Sequence, residues 1–312
     1  MAKAPRSLLG KVVAITGGAR GIGRATAAAL IAQGAKVAIG DIDHALAQRT
    51  AEELGHGTLG LALDVTDHAS FEAFLEQTER GLGPLDVLIN NAGIMPIGPF
   101  VDESDATARA MIDINLHGVI YGSKLALKRF AARRSGHLVN IASAAGKAGF
   151  PGGATYCATK HAVVGLSEAI RAEVRGLGIG VTVVMPIVVN TELGSGLPDT
   201  RGLKPVEPED VAAAIVEALQ RDRYEVFVPK SLAGVLRPKG LLPIRVVDAI
   251  GRLMKSDQVL MAPDRGLRAA YEARVAAGVT RTQTPPPVSE PGLGSPVGEG
   301  SEEAPRSVGV GP

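Results

Sequence analysis

A tyrosine and a lysine lie four residues apart in the stretch YCATK, as Tyr156 and Lys160. In a helix this spacing puts both side chains on the same face. A phenol with a pKa near 10 is a poor base at neutral pH, but a neighbouring ammonium group favours the phenolate and lowers that pKa. The pair therefore indicates a proton-transfer device. The alternative interpretation is a solvated helix face, because this spacing is common.

A hydroxyl group precedes this pair. Ser143 ends an apolar run 13 residues before Tyr156. Its hydroxyl could donate a hydrogen bond to a carbonyl or alkoxide oxygen. The alternative role is a helix cap.

The stretch TGGARGIGRA, residues 16–25, could hold a phosphate group. It resembles the triphosphate-binding pattern G-x-x-x-x-G-K-[ST], but Arg24 replaces the lysine and Ala25 replaces the hydroxyl that would anchor magnesium. A dinucleotide-binding turn fits better, because glycines let the backbone approach a pyrophosphate at a helix N-terminus. The predicted turn contains Gly17, Gly21 and Gly23, and its helix begins near Ile22. The alternative is a structural strand–helix turn.

Polar side chains follow the next apolar runs. Asp41 lies 24 residues after Gly17, where an acidic side chain can accept hydrogen bonds from ribose hydroxyls. Its alternative role is a helix N-cap, which Asp43 could equally supply. Asp64 and the stretch NNAG at 90–93 are expected at the same edge of the sheet.

The elements that must position these groups alternate along the chain. Seven apolar runs separate segments of helical length, and strands that are apolar throughout are buried on both faces. The pattern predicts an α/β fold with a Rossmann-type, doubly wound, parallel seven-stranded sheet in a three-layer α/β/α arrangement. The runs are at 11–16, 35–41, 59–65, 85–93, 136–143, 180–186 and 223–229, and the helical segments at 22–33, 44–54, 67–81, 104–133, 154–176 and 208–220.

Composition excludes several classes of protein. The 312 residues are 46% hydrophobic and carry a net charge of +1, so nothing indicates nucleic-acid binding. One cysteine and six scattered histidines predict neither a disulfide nor a metal site. Without a signal peptide or an apolar run of about 18 residues, the expected location is the cytoplasm.

Three regions follow from these patterns. Residues 1–229 are predicted to form a dinucleotide-binding catalytic domain, and residues 230–282 a helical C-terminal extension that covers the substrate. Residues 283–312 are rich in proline and glycine and are predicted to be disordered.

Taken together, the motifs resemble the short-chain dehydrogenase/reductase family in its shorter, single-domain form. They occur in family order and spacing between about Leu8 and Pro229: TGGARGIG, DV at 64–65, NNAG at 90–93, IN at 114–115, IAS at 141–143, YCATK at 156–160 and MPIVVNTEL at 185–193.

The resemblance implies a catalytic tetrad of Asn115, Ser143, Tyr156 and Lys160. Tyr156 would be the general acid/base, and Lys160 would bind the nicotinamide ribose and lower the tyrosine pKa. Ser143 would orient the substrate oxygen, and Asn115 would interrupt its helix and hold a water in a proton relay. The implied cofactor contacts are Gly17, Arg20, Gly21, Ile22, Gly23, Asp41, Asp64, Val65, Asn91, Ala92, Gly93, Tyr156, Lys160, Pro186, Val189 and Thr191.

One departure concerns the substrate pocket. The family usually has Pro-Gly where this chain has Pro186-Ile187. A β-branched residue there restricts the backbone and adds apolar bulk, which leaves the substrate open.

The expected function is an NAD-dependent oxidoreductase that interconverts a secondary alcohol and a ketone, with a hydrophobic small-molecule substrate such as a steroid, retinoid or long-chain alcohol. Asp41 favours NAD, whereas Arg20 could pair with the additional phosphate of NADP. The alternatives are an NADP-dependent 3-ketoacyl or carbonyl reductase, a non-catalytic dinucleotide sensor, and a sugar-nucleotide epimerase or dehydratase. The family resemblance and two long apolar helices also predict a homodimer or homotetramer.

Residues 230–255 carry six basic residues against one acidic residue, Asp248. From Ile244 onward an apolar stripe at helical spacing contains Val247, Ile250 and Met254. Three interpretations compete: a helix packed on the body or on another subunit, a substrate lid, and a peripheral membrane contact.

Overall fold

Seven strands and their connecting helices follow the alternation that the sequence predicts. The structure is a computed structural model that describes residues 4–197, 204–243, 245–246, 249, 252, 260–261 and 263–283. The strands are β1 (Val12–Thr16), β2 (Lys36–Asp41), β3 (Leu59–Ala62), β4 (Val87–Asn90), β5 (Gly136–Ile141), β6 (Ile179–Pro186) and β7 (Glu225–Val228). The helices are α1 (Gly21–Ile31), α2 (His44–Leu54), α3 (His68–Leu82), α4 (Asp105–Ile112), α5 (Gly118–Arg133), α6 (Ala154–Glu173), α7 (Pro208–Arg221), α8 (Leu232–Leu236) and α9 (Arg265–Gln283).

The strands form one parallel sheet in the order β3-β2-β1-β4-β5-β6-β7. The chain moves outward from β1 to β3 and then crosses back to place β4 on the other side of β1. This reversal opens a crevice at the carboxyl ends of β1 and β4, where open α/β sheets bind ligands. The Rossmann-type, doubly wound fold predicted from the sequence is confirmed.

Both faces of the sheet are buried because successive strand residues alternate between two apolar layers. Val13 and Ile15 belong to the core cluster that includes α1 and α7 residues, whereas Ala14 belongs to the cluster that includes α3 and α5 residues. The alternation explains why the strands are apolar throughout rather than at every second position.

One predicted helix is divided. The segment predicted over 104–133 contains α4, a π-helical turn at Asp113–His117, and α5. Helix α1 begins at Gly21, one residue before the position expected from the sequence. Neither difference alters the topology.

The C-terminal region is helical where the structure describes it. Helix α9 ends at Gln283, so the tail from residue 284 onward lies outside the described residues. Val247, Ile250 and Met254 of the predicted stripe also lie outside them. Among the described residues, no helix is both long and apolar enough to cross a membrane, and no group of three metal-binding side chains is found.

His137 is a buried titratable residue of the sheet. The Thr182 hydroxyl donates to the carbonyl oxygen of Arg223 (2.7 Å) and lies 2.8 Å from the Nε2 of His137. Because that hydroxyl proton is already used, Nε2 must carry the ring proton. Burial lowers the pKa of His137 to about 4, and the Asp222 carboxylate only partly opposes this shift.

Protonation of His137 should therefore favour the unfolded chain. The unfolded chain takes up this proton below about pH 6.5, whereas the folded chain does so only below about pH 4. We expect this residue to reduce the free energy of unfolding by on the order of 3 kcal/mol as the pH falls through that window. The free energy of unfolding, measured by urea denaturation at several pH values, should depend less steeply on pH for His137→Gln than for wild type. The control His44→Gln, at an exposed position, should keep the wild-type slope. Equal slopes for wild type and His137→Gln would contradict the assignment.

Candidate active site

The glycine turn between β1 and α1 passes very close to its neighbours. Gly17 has a φ of +61°, and a Cβ on it would lie 2.9 Å from the Cα of Ala92. A Cβ on Gly23 would lie 2.3 Å from the carbonyl oxygen of Gly17. Helix α1 begins at Gly21 without a side-chain cap. The turn therefore leaves a helix N-terminus open to an anion, and these residues fit a pyrophosphate group.

Asn91 braces this turn. Its side-chain amide donates to the carbonyl oxygens of Thr16 (3.0 Å) and Gly17 (2.9 Å). In return, the Thr16 hydroxyl accepts from the backbone N–H groups of Asn91 (2.9 Å) and Ala92 (3.0 Å). The ends of β1 and β4 are thus tied together by four hydrogen bonds.

Asp41 and Asp43 have separate roles at the end of β2. Asp41 is buried, and its carboxylate accepts from the backbone N–H groups of Ala19 (3.3 Å) and Asp43 (3.2 Å). Burial raises the pKa of Asp41, while these hydrogen bonds and the nearby Arg20 charge oppose the shift. Asp43 caps α2 by accepting from the backbone N–H of Leu46 (3.0 Å). The cap therefore comes from Asp43, and Asp41 lines the cavity.

Arg20 forms ion pairs with two acidic residues, neither of which is Asp41. Its guanidinium lies 3.4 Å from the Asp43 carboxylate and 3.3 Å from that of Glu192. Glu192 also pairs with Arg274 of α9, at 2.5 Å. No direct ion pair joins Arg20 to Asp41 in the described chain. The sequence alone would also have allowed Arg20 to pair with Asp41, and the structure shows the other two acids as its partners.

The ends of β3 and β4 reach the same cavity. The Asp64 carboxylate accepts from the backbone N–H (2.9 Å) and the hydroxyl (2.6 Å) of Thr66, which fixes its orientation. Val65 is buried beside Asp64. A Cβ on Gly93 would lie 3.2 Å from the Asn115 side-chain oxygen and 3.7 Å from the Lys160 ammonium. Gly93 therefore brings the backbone close to the lysine.

Tyr156 and Lys160 lie one turn apart on α6 and are both buried. The Lys160 ammonium is 5.7 Å from the centre of the Tyr156 ring and donates to the carbonyl oxygen of Ile141 at 2.9 Å. Ser143, after β5, accepts from the backbone N–H of Ala145 at 3.1 Å, so it does cap the short 3-10 turn that follows. Its hydroxyl donates to the carbonyl oxygen of Pro186 at 3.5 Å and lies near enough to Tyr156 to affect the pKa of the phenol. The solvated-face interpretation of the pair is wrong.

Burial controls the acidity of this cluster. It raises the pKa of Tyr156 well above its usual value, and the nearby Ser143 hydroxyl only partly opposes that shift. The direction is opposite to the one expected from a neighbouring lysine alone. Burial also lowers the pKa of Lys160 to about 8. Both shifts favour the uncharged forms, because a charged group loses hydration free energy inside the protein.

Asn115 lies in the π-helical turn between α4 and α5 and is completely buried. Its side-chain oxygen accepts from the backbone N–H of Ile94 (2.8 Å), and its amide donates to the Ile94 carbonyl (2.9 Å) and to Thr159 (3.3 Å). The helix is interrupted at Asn115, as the family resemblance implies. The interruption turns this side chain toward the loop after β4.

The segment after β6 forms another wall. Ile187 is partly buried against the core and lines the cavity, so the departure from Pro-Gly adds an apolar side chain there. Val189 is buried and forms a single bridge with Val206. Thr191 packs near the glycine turn, because a Cβ on Gly21 would lie 3.2 Å from its methyl carbon.

Two residues of α9 contribute to the site and were not predicted from the sequence. Arg268 is fully buried, and its guanidinium donates to the carbonyl oxygens of Met95 (2.7 Å), Leu193 (3.0 Å) and Ser195 (3.1 Å). The Tyr271 hydroxyl accepts from the backbone N–H of Met95 (2.7 Å) and its ring lines the cavity. Helix α9 is thereby fastened over the loops after β4 and β6. The only sequence feature that could have indicated their role is the spacing of an arginine three residues before a tyrosine.

One cavity of about 1180 Å³ joins these parts. Apart from Gly23 and Asn115, every site residue expected from the sequence lines it. Part of the predicted cover lines it as well, through Leu232, Val235, Leu236, Lys239, Leu242 and Arg252.

Comparison with known proteins agrees with this geometry. The sequence model of the short chain dehydrogenase family matches residues 11–202. The chain is 37% identical over 227 residues to 2-(S)-hydroxypropyl-CoM dehydrogenase 3 of Xanthobacter autotrophicus, a match that covers 67% of this chain and 89% of that protein. It is 39% identical over 194 residues to the 3-oxoacyl-[acyl-carrier-protein] reductase FabG of Haemophilus influenzae, covering 61% and 78% of the two chains.

A solved structure is similar too. The short chain dehydrogenase/reductase from Burkholderia phymatum, crystallised with NAD, superimposes with a TM-score of 0.69 at 26% identity. The match covers 74% of this chain and 93% of that one.

The close approach at the glycine turn gives a prediction that needs no ligand. Gly23→Ala should destabilise the fold by about 1–3 kcal/mol, because the added methyl group meets the Gly17 carbonyl oxygen. Gly234→Ala is the matched control: that glycine is exposed in α8 and nothing lies within 4 Å of an added Cβ. Thermal unfolding should separate the two variants. A Gly23→Ala protein as stable as wild type would show that the turn is not tightly packed.

Proposed function

Because the chain belongs to the short-chain dehydrogenase family, we propose that it is an NAD-dependent oxidoreductase that interconverts a secondary alcohol and a ketone. One observation carries the proposal: Ser143 and the buried Tyr156 and Lys160 line the cavity into which the glycine turn opens. A dinucleotide held by that turn and a substrate beside Tyr156 would therefore share one enclosure.

Each group of the cluster has a task that its surroundings support. Bound NAD⁺ would accept the hydride of the alcohol carbon. In the reduction Tyr156, which burial keeps as a neutral phenol, would give its proton to the ketone oxygen, and in the oxidation it would take that proton back as general base. Ser143, whose hydroxyl lies near Tyr156, would donate to the substrate oxygen and keep it within reach of the phenol.

Lys160 would act on the cofactor side. One of its N–H groups is engaged by the Ile141 carbonyl, which aims the ammonium while leaving further donors for ribose hydroxyls. Its lowered pKa of about 8 would let it hold or release a proton near neutral pH. The hydrogen bonds of Asn115 to Ile94 support a positioning role for the loop after β4, and its part in a proton relay stays a prediction.

The walls beyond Tyr156 support a hydrophobic substrate of the steroid, retinoid or long-chain type. They include Phe150, Ile187, Leu232, Leu236 and Leu260. The alternative is an NADP-dependent 3-ketoacyl or carbonyl reductase, which the likeness to a 3-oxoacyl reductase favours. A non-catalytic dinucleotide sensor has less support, because Ser143, Tyr156 and Lys160 are all present.

Three expectations from the sequence stay predictions here. They are assembly as a homodimer or homotetramer through α5 and α6, location in the cytoplasm, and the division into a catalytic domain, a cover and a tail. A peripheral membrane contact through residues 230–255 is the remaining alternative for the basic segment.

Tyr156→Phe should abolish turnover but spare cofactor binding. The change keeps the ring and removes the hydroxyl, and loss of general acid/base catalysis costs about 10²–10⁴-fold in rate. Steady-state kinetics with NAD⁺ and secondary alcohols, together with calorimetric titration of NAD⁺, test this. Lys160→Ala should weaken NAD⁺ binding as well. The control Tyr224→Phe, outside the cavity, should keep wild-type kcat. A kcat of Tyr156→Phe within threefold of wild type would rule out the assigned role.

Asp41 should make NAD⁺ the preferred cofactor. Two negative groups about 4 Å apart repel by up to about 4 kcal/mol at an effective dielectric constant of 20, so a 2′-phosphate beside Asp41 is disfavoured. Asp41→Ser should raise the ratio of kcat/KM for NADP⁺ over NAD⁺ by about tenfold or more. Adding Asp43→Asn should raise it further, because the asparagine can still cap α2 but removes one charged partner of Arg20.

The control for cofactor preference is Asp67→Ser. This exposed acid caps α3 and does not line the cavity. Its cofactor ratio should match that of wild type. A wild-type enzyme with higher kcat/KM for NADP⁺ than for NAD⁺ would overturn the assignment and favour the reductase alternative.

A further inference from the structure

We propose that Lys239 binds an anionic group of the substrate, such as a carboxylate, so that the substrate is an apolar molecule with a negatively charged end. This inference deepens the proposed function and rests on it, because Lys239 lines the same cavity as Tyr156.

Lys239 lies in the short 3-10 turn after α8 and is half-buried. Its ammonium donates to the carbonyl oxygen of Lys147 at 3.2 Å. Burial raises the pKa of the Cys157 thiol, and the Lys239 charge opposes that shift. Since Cys157 adjoins Tyr156 on α6, the ammonium charge acts on the catalytic side of the cavity.

Three cations on segments near Lys239 have carboxylate partners. Lys147 lies 3.2 Å and Arg237 lies 2.9 Å from the carboxylate of Glu225. Lys230 lies 2.8 Å from Glu217. In the part of the chain that the structure describes, no carboxylate lies within 4.0 Å of the Lys239 ammonium, which is held by a neutral carbonyl group. Among the residues that the structure describes, Lys239 therefore differs from Lys147, Arg237 and Lys230 in having no carboxylate counter-ion.

The surroundings of this charge are apolar. The same cavity is lined by Ala148, Phe150, Leu232, Val235, Leu236 and Leu242. A partly desolvated ammonium is costly unless it is paired and hydrogen-bonded. A substrate anion would supply that partner, and a charge-assisted hydrogen bond there would be stronger than one in open water.

The acids of the cavity lie at its other end. Asp41, Asp43 and Asp64 follow β2 and β3, and Glu192 is shared by Arg20 and Arg274. The backbone that holds Lys239 is close to the chemistry, because Lys147 follows Ser143 by four residues and such a stretch spans at most about 14 Å. The substrate would thus carry its alcohol and its anion at opposite ends of an apolar body.

Matched substrate pairs test this directly. Secondary alcohols of graded chain length are compared as terminal carboxylates and as the corresponding neutral carboxamides, with NAD⁺. We expect the wild-type kcat/KM to favour the carboxylate by about tenfold to a hundredfold at the best length, chiefly through KM. Equal kcat/KM for acid and amide at every length would overturn the proposal.

Three variants identify the residue. Lys239→Met keeps an apolar stem of similar length and should lose the preference for the carboxylate, while its kcat/KM for the amide and its affinity for NAD⁺ stay unchanged. Lys239→Arg should retain the preference. Lys230→Met is the matched control, because it removes the same charge from an exposed residue already paired with Glu217. A Lys239→Met enzyme that keeps the wild-type preference would also overturn the proposal.

A binding measurement separates this inference from the proposed function. Calorimetric titration with octanoate and with octanamide needs no turnover. Octanoate binding that is lost in Lys239→Met, in a protein that oxidises no alcohol, would support the anion site and refute the dehydrogenase function. Oxidation of neutral alcohols together with octanoate binding no tighter than octanamide binding would refute the anion site alone.

Discussion

The structure depends on the tie between the ends of β1 and β4. Thr16 and Asn91 exchange hydrogen bonds across the point where the strand order reverses, and the Asn91 amide also holds the carbonyl of Gly17. This brace fixes the glycine turn at contact distance from the loop after β4. The same loop is held on its other side by Asn115, which bonds to both backbone groups of Ile94. The glycine turn that borders the cofactor crevice and the loop after β4 that lies beside Lys160 are therefore parts of one hydrogen-bonded unit.

Burial then sets the chemistry that this unit supports. Tyr156 and Lys160 lie where desolvation favours their neutral forms, so the pKa of Tyr156 is raised rather than lowered and that of Lys160 falls to about 8. A phenol held neutral by burial is suited to give a proton to a carbonyl oxygen, and the nearby Ser143 hydroxyl partly offsets the cost of the phenolate.

The roof of the cavity has a different physical origin. Arg268 is fully buried, and its charge is distributed over three carbonyl groups from the loops after β4 and β6. Its Nε atom also lies 3.3 Å from the Glu272 carboxylate. A buried guanidinium requires this number of partners, so the position of α9 is specified by hydrogen bonds rather than by an apolar stripe. Tyr271 enters the cavity as a consequence of that docking.

The sequence by itself determined the sheet, its alternating helices and the position of most candidate site residues. Strands apolar throughout require cover on both faces, and glycines at Gly17, Gly21 and Gly23 followed by a helix leave few alternatives for the turn. Helical spacing placed Tyr156 and Lys160 on one face, and the family resemblance added Ser143 to them. These features are local, and local patterns survive in a single sequence.

Only the tertiary structure decided how charges are paired and which groups are dehydrated. In the folded chain Arg20 pairs with Asp43 and Glu192 rather than with Asp41. Burial, rather than the neighbouring lysine, sets the direction in which the pKa of Tyr156 shifts. The tertiary structure also brought Arg268 and Tyr271 from the C-terminal region to loops more than 70 residues earlier in the chain. Such pairings depend on distances between segments remote in sequence, and desolvation depends on what packs around a group. Neither these distances nor the extent of desolvation can be read from the spacing of residues along the sequence.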